Sequence, residues 1–173
     1  MVFVGGAADF NPTHLDDLAL DVLSVACQKK LRLATCESCT GGLVASLLTD
    51  VQGLSHAFDR GLIVYTPEAK SEMLGLSLAR IENFGAVSQV IARDMAWATL
   101  RVSHADVAVA ITGNAGKGRG VEDVGLVYVA AAHDQRGVVD QTLRLGDIGR
   151  TAIRNRAAFV ALSLLYAMLR DHA

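Results

Sequence analysis

Two short stretches hold the residues whose types and spacing could do chemistry. In "ATCESCTGG", Ala34 to Gly42, Cys36 and Cys39 flank Ser38 ahead of Thr40 and the pair Gly41 and Gly42; in "YTPEAK", Tyr65 shortly precedes Lys70. The cysteine pair admits three readings. At a helix N-terminus a Cys-x-x-Cys could be redox-active, because the helix dipole and free amides stabilise a thiolate. A zinc half-site needs two more ligands, but His14, His56, His104, His133 and His172 are scattered singly and there is no second cysteine pair. The third reading, which we prefer, makes both cysteines small apolar packing residues beside a turn. Ser38 stands apart from them. At a glycine-containing strand-to-helix turn its hydroxyl would lie beside free backbone amides able to stabilise an oxyanion or bind a phosphate. From spacing alone, a helix cap is the stronger reading of Ser38 or Thr40, and only a base would change that.

A nucleophilic serine needs a base, and no histidine sits in a context that recommends it. Lysine serves when desolvation and positive potential bring its pKa from about 10.4 to about 7–8. Pro67 after Thr66 predicts a helix capped by Thr66, which puts Lys70 near its first turn, where the dipole opposes the ammonium charge. Tyr65, at the end of the preceding strand, could bond between lysine and serine. The plain alternative for Lys70 is a solvated lysine on a helix surface.

Hydrophobic spacing predicts the elements that must position these groups. A capping box Thr13-x-x-Asp16 after Pro12 opens a helix to about Lys30 with Leu15, Leu18, Val22, Val25 and then Leu31 toward the core. "LRLATC" reads as a strand, "TGGLVASLLTDV" as a helix entered through glycines, and "RGLIVYT" as a strand. Ser88 caps a helix carrying Val90, Ile91, Met95 and Leu100, and "DVAVAIT", Asp106 to Thr112, is apolar enough to be a central strand buried on both faces. The glycine-rich "GNAGKGRGVEDVG" follows, then a hairpin of "LVYVAAA" and "VVDQTLRL" joined by the five-residue "HDQRG". A last helix from about Thr151 carries Ile153, Ala157, Val160, Leu164 and Met168 on one stripe. Interleaved helices and strands closed by a hairpin predict a three-layer α/β/α fold around a mixed, mostly parallel sheet of about five or six strands. We read one domain over residues 1–173, with residues 1–10 as a loose N-terminal extension.

Composition narrows the function classes. The 173 residues are 51% hydrophobic and 20% charged, enough for one sizeable core. A net charge of -2 and a pI near 6.2 supply no general attraction to nucleic acid or anionic membrane. Apolar runs are broken before the roughly 20 residues a membrane helix needs, and the N-terminal stretch lacks a signal-peptide pattern, so a cytoplasmic protein is expected. Three cysteines do not suggest a secreted disulfide framework.

The run "ATCESCTGGLVASLLTDVQGLSHAFDRGLIVYTPEAKSEMLG", then "FGAVSQVIARDMA", then "ADVAVAITGNAG" resembles the CinA C-terminal domain family, whose enzymatic members are nicotinamide mononucleotide (NMN) amidohydrolases. The resemblance implies hydrolysis of the NMN carboxamide to nicotinic acid mononucleotide and ammonia, with a nucleotide as small-molecule partner and neither metal nor organic cofactor. It implies Ser38 as nucleophile, Lys70 as base and Tyr65 as orienting or relaying group. Amides near Cys39, Thr40, Gly41 and Gly42 are candidates for the oxyanion. Thr112, Gly113, Asn114, Ala115, Gly116 and Lys117 form the loop expected to cradle the nucleotide, with Arg150 as a candidate charge. A homo-oligomer is expected from family habit and apolar helix faces. Several positions depart from the family pattern: Asn114 and Lys117 replace an apolar residue and a proline, a lysine-proline pair is missing before Val124, Thr66 and Pro67 replace serine and asparagine, and Ile148 stands where arginine is common. These departures spare the three chemical residues and fall mainly where substrate would sit. The competing expectation is a non-catalytic nucleotide-binding or regulatory protein on the same fold.

Overall fold

A computed structural model describes residues 14–117 and 123–170. In chain order the elements are α1 (His14–Lys29), β1 (Leu33–Glu37), α2 (Leu43–Asp50), a 3-10 turn (Ser55–Ala57), β2 (Phe58–Ile63), α3 (Pro67–Leu74), α4 (Leu78–Phe84), α5 (Gln89–Arg101), β3 (Val107–Gly113), β4 (Leu126–His133), β5 (Gly137–Arg144) and α6 (Arg150–Leu169). The proposed Thr13 capping box and the N-terminal extension lie outside the described residues.

Five strands form one sheet in the order β2-β1-β3-β4-β5. β1 pairs in parallel with both β2 and β3, and the β4 hairpin partners run antiparallel, so four of the five strands point the same way. The expected mixed sheet is present, with β3 at its centre and buried from Val107 through Thr112. Alternation along the strands divides the core into two. Val107, Val109, Ile111, Val127 and Val129 face α1, α2 and α6. Ala110, Ala130 and Ala132 face α3, α4 and α5, and these small side chains let α5 lie close on the sheet. The result is the expected α/β/α layering.

α6 is long and apolar enough to cross a membrane by length and composition. Its apolar residues are spent otherwise: Ile153, Ala157, Leu162, Leu165 and Leu169 are fully buried in the protein's own core. Other differences from the sequence expectation are local. His133 pairs with Gly137, so the hairpin connection is the three residues 134–136 rather than five. β2 ends at Ile63, leaving Tyr65 beyond the strand rather than at its end. α4 is capped by Ser77 and buries Ile81 alone; one turn-spaced apolar residue offers no periodicity to read.

Candidate active site

The strand order decides where the site lies. From β1 the chain goes to one side for β2, and later returns to the other side for β3. The connections leaving the C-terminal ends of β1 and β3 therefore diverge to opposite sides and leave a crevice between them, the usual ligand position in open α/β sheets. A cavity of about 320 Å³ opens there, lined by Ser38, Cys39, Tyr65, Lys70, Ala86, Val87, the run from Thr112 to Lys117, and Arg150.

Ser38 follows β1 directly. Its N–H donates to the Ile111 carbonyl at 3.1 Å, which extends the β1–β3 ladder by one residue and fixes where the side chain starts. Lys70 arrives from α3. Thr66 caps that helix as expected, accepting from the Ala69 N–H at 3.1 Å, with Pro67 at the first helical position. Lys70 Nζ then reaches Ser38 Oγ at 3.4 Å and donates to the Val64 carbonyl at 2.9 Å. Val64 is itself tied to β1, its N–H donating to the Glu37 carbonyl. Serine and lysine, 32 residues apart in sequence, are thus referred to the same strand.

Burial sets the electrostatics. Lys70 is 1% exposed, and loss of solvent pushes its pKa below the ordinary lysine value, outweighing the opposing pull that Cys36 and Cys39 would exert as thiolates. A depressed pKa makes the neutral amine accessible, and a neutral amine can accept the serine proton. The same burial acts oppositely on the thiols: Cys36 is raised to about 12 and Cys39 to about 11. Both stay protonated at neutral pH, as packing residues do and redox thiolates do not. Titrating the native protein with an aromatic disulfide reagent at pH 8 should therefore show one accessible thiol, the half-buried Cys27, and two that react only on unfolding. Three fast thiols in the folded protein would contradict this.

The remaining candidates divide. Tyr65 lies at the cavity rim, 59% exposed, and its hydroxyl bonds neither Ser38 nor Lys70 among the described residues. Thr40, Gly41 and Gly42 do not line the cavity. The Gly41 N–H is used by the Ser38 carbonyl, and the Gly42 N–H by the Glu37 carboxylate. That leaves the Cys39 and Thr40 amides without a carbonyl or carboxylate acceptor among the described residues; the Cys39 N–H has only its own sulfur beside it, and Cys39 alone of the two lines the cavity, which narrows the oxyanion candidates to the Cys39 amide. On the other wall, Asn114 N–H and C=O bond Leu126 and Gly125, so the loop is pinned there rather than being a run of free amides. Thr112 is likewise held, its hydroxyl donating to the Ala86 carbonyl. Lys117 pairs with Asp147 at 2.8 Å, both largely exposed. Arg150, the first residue of α6, approaches Gly116, where its guanidinium would lie 3.7 Å from an added Cβ. Sequence reading missed Glu37, Arg154, Ala86 and Val87. Only Glu37 left a signal, an acidic side chain one turn ahead of a glycine-capped helix.

A model of the CinA C-terminal domain matches residues 15–169. The chain belongs to that family. It is 43% identical over 162 residues to a CinA-like protein of Mycobacterium marinum, covering 92% of this chain and 36% of that protein. It spans little more than a third of the length of the curated relatives it matches. The solved competence/damage inducible protein CihA of Agrobacterium tumefaciens aligns over 98% of this chain and 100% of its own, at TM-score 0.87 and 39% identity. A CinA superfamily protein of Escherichia coli aligns over 96% of this chain and 95% of its own, at TM-score 0.81 and 29% identity.

Proposed function

We propose that this CinA domain is an amidohydrolase that removes the carboxamide nitrogen of nicotinamide mononucleotide, yielding nicotinic acid mononucleotide and ammonia. The observation that carries the reading is a lysine amine, 1% exposed, held 3.4 Å from a serine hydroxyl at the crevice floor. Neutral Lys70 takes the Ser38 proton as Oγ bonds to the amide carbon, and charge grows on the amide oxygen near the Cys39 N–H. The Lys70 ammonium then protonates the amide nitrogen; the C–N bond breaks, ammonia departs, and an ester remains on Ser38. Water, losing a proton to Lys70, attacks the ester carbon, and Oγ recovers that proton as the acid leaves. Val64, through its carbonyl, keeps Nζ oriented throughout. Tyr65 at the rim orients the substrate, while the Asn114–Lys117 loop and Arg150 face its phosphate. The reaction belongs in the cytoplasm, where three free thiols stay reduced.

Incubation with NMN should release ammonia and the acid product in equal amounts, and Ser38→Ala should lower kcat by about 10³-fold or more. Equal turnover in wild type, Ser38→Ala and Lys70→Ala would sink the mechanism. Nucleotide binding without ammonia would favour the non-catalytic reading.

A further inference from the structure

The turn that presents Ser38 is held by two groups outside the proposed chemistry. Glu37 has no solvent exposure, and a buried carboxylate is costly unless it is well bonded. Its oxygens accept three backbone N–H groups: Gly42 at 3.1 Å and Val44 at 3.1 Å on Oε2, and Ala45 at 2.9 Å on Oε1. These are the opening amides of α2, whose own N-cap, Gly42 at φ 94, carries no capping side chain. The main chain of Glu37 is meanwhile fixed in β1, against both β2 and β3. One residue thus ties the start of the turn to its end. The middle is held from α6, where Arg154 Nη2 donates to the Thr40 carbonyl at 2.6 Å, 114 residues away in sequence.

The clamp also partitions the amides. Glu37 satisfies those at the mouth of α2, while the Ser38 N–H goes to Ile111 and the Gly41 N–H back to Ser38. The N–H groups of Cys39 and Thr40, on the peptides between Ser38 and the Arg154 contact, go to no carbonyl or carboxylate among the described residues; Cys39, the one of the two that lines the cavity, has only its own sulfur beside its N–H. We propose that Glu37 and Arg154 are positioning residues that lock the 38–42 turn, setting the Ser38 hydroxyl against Lys70 and keeping the Cys39 amide turned to the cavity for the oxyanion. The inference rests on the serine-lysine reaction proposed above.

A helix cap alone would contribute stability and nothing else, so the test must separate stability from turnover. Glu37→Gln keeps the shape but turns an NH2 group toward a backbone N–H, breaking the clamp on one side. Arg154→Met removes the side-chain donor to the Thr40 carbonyl, leaving the Leu43 N–H as its remaining donor, and Arg154→Lys restores a side-chain donor. At a temperature where all variants are folded by circular dichroism, NMN hydrolysis by Glu37→Gln should fall about 10²-fold in kcat, the scale of a roughly 1 Å misplacement, with KM within about threefold. Arg154→Met should fall about tenfold in kcat at similar KM, and Arg154→Lys should recover part of that loss. Unchanged kcat in either variant, or a loss confined to KM, overturns the inference while leaving the reaction standing. Where Glu37→Gln does not fold, the Arg154 pair decides. The same variants are also treated with p-nitrophenyl acetate and the acyl mass located on Ser38. A wild type that acylates at Ser38 but ignores NMN removes the proposed substrate; slower acylation of both variants then supports the clamp, and equal acylation refutes it. A folded wild type that does neither overturns reaction and clamp together.

Discussion

Replacing Lys70 with methionine should lower NMN turnover by about 10³-fold or more while leaving a folded protein whose stability responds differently to pH. Methionine fills a similar volume in a site that is 1% exposed, so packing is largely kept. What disappears is the group that accepts the Ser38 proton at 3.4 Å. In the wild type, activity should climb with pH as Lys70 deprotonates, and this limb should lie below the ordinary lysine range because burial depresses the amine's pKa. The stability consequence has a definite sign. Between the lowered pKa of the folded state and the roughly 10.4 of the unfolded chain, the unfolded chain binds more protons, so wild-type stability rises with pH across that window. Lys70→Met lacks this contribution. Its stability relative to wild type should be most favourable at the low-pH end and decline as pH rises, the lost bond to the Val64 carbonyl setting the offset. Denaturant titrations of both proteins from pH 6 to about 10 measure it. A relative stability that does not change with pH would show that Lys70 titrates normally, and the base assignment would fall with it.

Among the described glycines, Gly125→Ala should be the most damaging substitution. An added Cβ would stand 2.2 Å from the Gly146 carbonyl oxygen and 2.6 Å from its nitrogen, and backbone on both sides cannot yield cheaply. The residue also has φ +81, costly for alanine by itself. Gly125 knots three segments: its N–H donates to the Asn114 carbonyl at 2.8 Å, and its carbonyl accepts from Leu145 at 3.0 Å. Disturbing it loosens the loop that forms one wall of the cavity. We expect a loss of about 3 kcal/mol or more and a melting point lower by about 6–12 °C, with reduced activity well below the melting range. Gly53→Ala is the control, since Gly53 has the same φ of +81 with nothing within 4 Å of an added Cβ. It carries the backbone penalty alone, about 1–2 kcal/mol. Equal melting points for the two variants would refute the close approach to Gly146.

Much of the site was legible because its signals are local. Thr66 and Pro67 announce a helix start within four residues, and that start alone places Lys70 near the first turn. Ser88 announces α5 in the same way. Asp106 to Thr112 reads as a central strand because burial on both faces requires an unbroken apolar run. The cysteines were read as packing residues from their type, and burial agrees. The clamp on the turn was not legible. Nothing local says that Arg154 will meet the Thr40 carbonyl, since that contact exists only after α6 has packed beside α2. Nor does spacing say that Glu37 will spend its charge on backbone amides rather than face solvent. Its side chain lies on a strand whose every residue is buried, a fact of sheet order and not of the pentapeptide.

The chain's own chemistry determined the identities and local frames of Ser38 and Lys70, because caps, proline and hydrophobic period act within a few residues. Only the tertiary structure decided that β2 and β3 flank β1 on opposite sides, opening the crevice and bringing the two residues to 3.4 Å. It alone removed water from Lys70 and bound the Gly42, Val44 and Ala45 amides to Glu37. Desolvation and strand order are properties of the packed whole: each depends on elements far apart in sequence, so no short stretch can carry them.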